Sequence, residues 1–256
     1  MSAVRVAIAG AGGRMGAALI EAARVTEGIE LAAALDIAGG NAEGLAIGTD
    51  IAAAVGACDV LIDFTRPQGT LAHVRACLLA GRAIVIGTTG FEPAQLEEIR
   101  AAGAQIAIVM APNMSVGVNV SLKLVDLAAR ALGPDYDIEV FEIHHKLKVD
   151  APSGTALKLG EVAARARGTS LERDGVYARH GTTGERKGGS VGFSAARAGD
   201  IVGDHTVFFA GPGERIEITH RAASRETYAQ GALRAARFLR ARAPGLYDMQ
   251  DVLGLR

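Results

Sequence analysis

Two cysteines in 256 residues are too few for a disulfide framework, and Cys58 and Cys77 lack metal-ligand spacing. Both suit small reduced core positions. Charge of either sign is not in surplus: 27 Lys plus Arg against 28 Asp plus Glu leave a net charge of -1. Nothing in that balance favours nucleic acid or an anionic membrane as a partner. Apolar residues make up 49% of the chain, yet no run reaches the about 18 residues of a membrane span. Met1-Ser2-Ala3 leads straight into a strand-like run, so no secretory leader is expected. There is no internal repeat and no low-complexity linker. The expectation is a compact cytoplasmic enzyme of one large or two small domains.

What is present begins at the amino terminus. Residues 4–9 form a short apolar run, followed at once by Gly10, Ala11, Gly12, Gly13, Arg14, Met15 and Gly16, and then by helical apolar spacing over 17–25. Strand, glycine turn and helix is the setting of a dinucleotide phosphate loop, where glycine lets backbone amides approach a pyrophosphate. The spacing departs from G-x-G-x-x-G, because Met15 holds the place of the third glycine and the glycine falls at Gly16. A second strand over 30–35 ends in Asp36, twenty residues beyond Gly16. An acid there can bond the adenosine ribose hydroxyls, although a turn aspartate before Gly39-Gly40 would look the same.

Strand-like runs at 59–64, 83–86 and 106–110 alternate with helical stretches at 69–80 and 93–102. Continuous apolar strands separated by helices predict a parallel sheet covered on both faces. The runs end in Thr65-Arg66-Pro67, Gly87-Thr88-Thr89 and Ala111-Pro112-Asn113, at the strand carboxyl ends where open α/β sheets bind ligands. From Ser115 the pattern changes. A helix over 116–132 leads to a strand over 136–143, a helix capped by Ser153, and strand-like runs at 189–197, 205–210 and 215–221. Ile216 and Ile218 alternate with Glu217 and Thr219, a half-buried pattern, and Pro212-Gly213 makes a turn. These runs predict a mixed sheet built from hairpins. Ser224 is expected to cap a last helix whose apolar face, Tyr228, Ala232, Ala235 and Leu239, returns to the first domain. The fold class expected is α/β: a Rossmann-type parallel-sheet domain (1–114 with 224–256) plus an α+β mixed-sheet domain for substrate binding and oligomerisation (115–223). Three strand runs after Gly189 are too few to cover both faces of a sheet, which invites self-association.

The segment from Glu142 to Thr155 carries the chemistry. It sets His144, His145, Lys146 and Lys148 close together, breaks at Pro152 and opens a helix at Ser153. Such a helix start offers Gly154 and Thr155 amides to a carboxylate, and histidine moves protons near neutral pH. A solvated charged turn is the plainer alternative. Adjacent His144 and His145 should face opposite ways in a regular strand, so both serve one site only if the strand ends there. A paired-histidine metal site lacks a third ligand with convincing spacing. His73, His180, His205 and His220 read as structural or surface histidines.

With these motifs in view the chain resembles the dihydrodipicolinate reductase family of bacterial diaminopimelate and lysine synthesis. The resemblance runs nearly end to end and is most specific in His144-His145-Lys146-Leu147-Lys148-Val149-Asp150-Ala151-Pro152-Ser153-Gly154-Thr155. It also includes Asp63-Phe64-Thr65-Arg66-Pro67 and Gly203-Asp204-His205-Thr206. It implies a usually tetrameric, two-domain enzyme that reduces a cyclic unsaturated dicarboxylate with NADH or NADPH. It places Gly10 to Met15 on the pyrophosphate, Asp36 on the ribose, and Gly87, Thr88 and Thr89 with Ala111, Pro112, Asn113 and Met114 around the nicotinamide half. His144 falls at the proton donor, Lys148 at the catalytic or orienting lysine, and His145, Gly154 and Thr155 at substrate-binding positions. No metal is implied. Met114 stands where many relatives carry phenylalanine. Ile37 stands where some carry an arginine for the NADPH 2′-phosphate, so NADH is the preferred cofactor expected and NADPH the second. A related amino-acid dehydrogenase and a non-catalytic NAD-sensing regulator are the rival readings; turnover of candidate substrates separates them.

Overall fold

The computed structural model describes residues 2–42 and 44–256. The chain forms two compact units, Met1–Val116 with Arg225–Arg256, and Gly117–Ser224. The first unit opens with β1 (Val4–Ala9), α1 (Arg14–Val25) and β2 (Ile29–Leu35). A small antiparallel hairpin of β3 (Gly40–Ala42) and β4 (Leu45–Ile47) follows, then α2 (Ile51–Ala57) and β5 (Val60–Asp63). Next come α3 (Pro67–Ala80), β6 (Ala83–Ile86), α4 (Pro93–Gly103) and β7 (Ala107–Met110). Neighbouring strand residues feed opposite cores. Val6, Ile8, Ile62, Val85 and Val109 face a core shared with α1 and the helix over 226–239, whereas Ala7, Leu61, Ile84 and Ile108 pack on α2, α3 and α4. Strands buried on both faces explain the unbroken apolar runs. Cys58 and Cys77 lie in the second of these cores as free thiols, and burial raises both above their ordinary range.

The second unit begins within α5 (Val116–Leu132) and continues through β8 (Asp137–His144), α6 (Gly154–Ala166), α7 (Leu171–Asp174) and β9 (Gly175–Val176). It closes with β10 (Val191–Arg197), β11 (Gly203–Gly211) and β12 (Glu214–Ala222). The strand order is β12-β11-β8-β10-β9. The sheet is mixed, but hairpins alone do not build it. Strands β11 and β12 join through Pro212-Gly213, with Gly213 at φ 81, while β10 runs parallel to β8 and needs the α6 crossover. One face is covered by α5 and α6: Val125, Ala129, Leu159 and Ala163 meet Ile138, Val140, Phe193, Val207 and Phe209. On the other face Phe141 stays 38% exposed. Ile216 is also more open than its alternation predicts, because β12 is an edge strand.

The chain then completes the first unit with α8 (Glu226–Leu239), β13 (Gly245–Tyr247) and α9 (Met249–Leu253). Ala229, Ala232, Leu233, Ala235, Ala236 and Leu239 of α8 share one core with Leu19 and Ile20 of α1, while Tyr228 is half-buried. Helix α8 starts at Glu226, two residues after Ser224. Arg225, just before it, already has a helical backbone conformation, and its side chain makes no cap bond. Strand β13 pairs parallel with β7 and gives the sheet order β13-β7-β6-β5-β1-β2. Among the described residues no helix is long and apolar enough to cross a membrane.

Candidate functional site

In the first unit the glycine loop joins β1 to α1. Gly10 and Ala11 donate their N–H groups to Leu35 O at 3.0 and 3.1 Å, which ties the loop to the end of β2. Gly10 has φ 81, and a Cβ on Gly16 would lie 2.2 Å from Gly10 O. The closest helix-to-loop approach therefore falls at position 16, and Met15 instead packs its side chain on the α1 core. Gly12 donates its N–H to Asp36 Oδ2 at 3.1 Å, and a Cβ there would crowd that carboxylate at 3.2 Å. The N-cap Gly13 has no side chain to occupy the helix start, and Arg14 is exposed beside it. Backbone donors, a bare helix start and an acid at the next strand end fit the phosphates and ribose of a dinucleotide.

Three further loops sit at the carboxyl ends of the neighbouring strands β5, β6 and β7. Buried Asp63 accepts from the Thr65 N–H at 2.8 Å and the Thr65 hydroxyl at 2.7 Å, and its Oδ2 lies 3.0 Å from His73 Nδ1. Thr65 N–H also donates to Thr88 Oγ1 at 3.0 Å, joining the loops after β5 and β6. Gly87 is required by contact: a Cβ there would meet the Phe64 ring at 2.2 Å. Thr89 and Pro112 are exposed, and Met114 is buried. Ala111 N–H bonds Ile86 O at 3.1 Å, and Asn113 Oδ1 accepts from Ser115 N–H at 2.9 Å.

In the second unit β8 ends at His144, so His145 lies in the turn that follows. His144 Nδ1 is 2.6 Å from Glu142 Oε2, and both side chains are buried. Arg197 of β10 grips the same carboxylate with two bonds of 2.7 and 2.8 Å, and Ser153 N–H reaches it at 3.1 Å. Burial pushes the Glu142 carboxyl up, but the bonds from Arg197 and His144 outweigh it and hold the group below its usual range. Lys148 Nζ pairs with Asp150 Oδ1 at 2.8 Å, and that bond lowers the Asp150 carboxyl. His145 is half-buried, its N–H donating to Ile201 O at 2.7 Å, and its buried Nδ1 has no hydrogen-bond partner among the described residues. Ser153 caps α6 by accepting from Ala156 N–H at 3.2 Å, which makes Gly154 and Thr155 the first helical residues.

Comparison with known proteins gives this arrangement its family. Residues 4–114 match the family described as dihydrodipicolinate reductase, N-terminus, and residues 117–253 match dihydrodipicolinate reductase, C-terminus. The chain belongs to the dihydrodipicolinate reductase family. It is 60% identical to a 4-hydroxy-tetrahydrodipicolinate reductase of Bordetella pertussis, with 98% of this chain and 97% of that protein covered. A protein of the same name from Aromatoleum aromaticum is 57% identical over 100% of this chain and 97% of its own length. Among solved structures, the dipicolinate-bound dihydrodipicolinate reductase from Paenisporosarcina sp. TG-14 has the same fold. It aligns with a TM-score of 0.80 at 24% identity, covering 97% of this chain and 98% of that one.

Within this dihydrodipicolinate reductase fold the structure adds residues that the sequence reading left without a role. His205 of β11, set aside as structural, stacks edge-on against the His144 ring at 5.0 Å and lies 3.0 Å from Ser153 Oγ. Glu142 and Arg197 form the floor under His144. Glu142 stands two residues before His144 in a strand, so period-two alternation places both on one face. Arg197 and His205 come from other strands, and only the register brings them in.

Proposed function

We propose that this chain reduces 4-hydroxy-tetrahydrodipicolinate to tetrahydrodipicolinate in lysine and diaminopimelate biosynthesis, with His144 as the proton donor. A pyridine nucleotide is its cofactor and, when bound, supplies the hydride. Gly10 to Met15 cradle the pyrophosphate, Asp36 takes the ribose hydroxyls, and the loops at 87–89 and 111–114 hold the nicotinamide half. His145, Gly154 and Thr155 bind the substrate dicarboxylate, and Lys148 balances its charge. Reduction leaves negative charge on the ring, and His144 protonates it. The observation that carries this reading is the buried His144 fixed on Glu142 beside the start of α6.

NADH is the preferred cofactor and NADPH the usable second. The Asp36 carboxylate already faces the glycine loop, so a 2′-phosphate there would meet like charge, and exposed Ile37 offers no cation. The working assembly is a homotetramer in the cytoplasm. Supporting the assembly are the uncovered face around Phe141 and the exposed apolar residues Val120, Leu124 and Leu127 on α5. Oxidation of NADH coupled to a dihydrodipicolinate-forming synthase tests the activity. Tight NADH binding with no turnover would overturn the enzyme reading.

A further inference from the structure

Glu142 is a carboxylate with no exposure to solvent, and it has four donors around it: two N–H groups of Arg197, the Ser153 backbone N–H and His144 Nδ1. An ionised carboxylate only accepts hydrogen bonds. At 2.6 Å the Nδ1 of His144 must therefore carry its hydrogen toward Glu142, whether the ring is neutral or protonated. The second proton of the imidazolium then sits on Nε2. That atom faces Gly203, where a Cβ would lie 2.7 Å away in the space next to Nε2. The absence of a side chain at 203 leaves that space open.

We propose that Glu142 is the positioning residue for the proton donor: it holds His144 by Nδ1–H, so that Nε2 delivers the proton, and Gly203 keeps Nε2 reachable. This rests on the reading of His144 as the donor. Arg197 extends the same device. Besides gripping Glu142 it donates to the Asp150 backbone carbonyl at 2.6 Å, and the Asp150 carboxylate pairs with Lys148. One guanidinium thus braces the carboxylate under His144 and the loop that carries Lys148.

The charged and titratable groups facing His144 are Glu142 on its own strand, Arg197 on β10 and His205 on β11. Farther out lie His220 on β12 and the Lys148–Asp150 pair on the following loop. Glu142 favours the protonated ring and Arg197 opposes it, so their removal must act in opposite directions. The test is the pH dependence of kcat for the wild type, Glu142→Gln, Arg197→Met and His144→Gln. A general acid must be protonated, so wild-type kcat falls as pH rises through its basic limb. Glu142→Gln should move that limb to lower pH by about one unit or more, and Arg197→Met should move it to higher pH. At pH 8, kcat of Glu142→Gln should drop about tenfold or more while KM for NADH stays within about twofold. Both limbs staying at the wild-type position while kcat falls would overturn the proposal, because loss of structure alone lowers activity without opposite shifts. Unchanged kcat in His144→Gln would instead overturn the donor reading itself. If the variants do not fold, nitrogen-labelled histidine NMR of the wild-type enzyme decides. Neutral His144 should be protonated at Nδ1, and a proton on Nε2 alone would overturn the assignment.

Discussion

His205 is a histidine that the fold keeps neutral. Burial, and then the nearby His144, push its pKa from 6.5 down to about 4, while the unfolded chain takes a proton near the ordinary value. Between those two pH values the unfolded state binds more protons, so stability is full above about pH 6.5 and declines as pH falls toward 4. A shift of that size is on the order of 3 kcal/mol. The His220 ring, also lowered by burial, adds a slope of the same sign. His205→Gln should therefore flatten the fall in Tm between pH 6.5 and 4; an unchanged slope would show that the ring titrates normally. At the adenosine end, Ile37→Arg should shift kcat/KM toward NADPH by about tenfold, the equivalent of 1.4 kcal/mol. No shift in that variant would mean the 2′ position lies away from residue 37. The place of Asp36 beside the glycine loop was legible because its cue is local, a strand end at a fixed distance from that loop. Arg197 was not, because its tie to Glu142 spans 55 residues and depends on which strands become neighbours.

Helix α8 approaches the segment after β7 so closely that a Cβ at Gly231 would lie 1.8 Å from the Met114 carbonyl oxygen. An exposed helical glycine is ordinarily stabilised by alanine, by about 1 kcal/mol. Here the clash outweighs that gain, since crowding a packed interior costs about 1–3 kcal/mol. Gly231→Ala should lower Tm and weaken NADH binding together, because Met114 belongs to the proposed nicotinamide segment. A raised Tm would show that α8 has room to spare. The helix itself could be read from its apolar spacing, and the long buried strands from their composition. The three-residue β13 could not, because Gly245–Tyr247 becomes a strand only by pairing with Ala107–Val109. The expectation of a sheet built from hairpins failed for a related reason: β10 runs parallel to β8, and apolar alternation marks a strand but carries no direction.

At the scale of the whole molecule, a mixed sheet with helices on one face leaves Phe141 exposed on the other, and α5 adds its own open apolar residues. Light scattering at micromolar concentration should give four times the chain mass, and Phe141→Glu should reduce it. A monomer in the wild type would refute the tetramer. The division of the first unit between Met1–Val116 and Arg225–Arg256 also fixes an order of events during synthesis. Residues of the second unit are contiguous, so that unit can fold as soon as it leaves the ribosome. The first unit, begun earlier, must wait for the last thirty or so residues, and until α8 emerges the apolar side of α1 and its sheet has no cover. Nascent chains of this enzyme should therefore engage a chaperone longest in their oldest segment. A chain stopped at Ser224 retains every residue proposed to touch cofactor or substrate, yet it should aggregate rather than bind NADH.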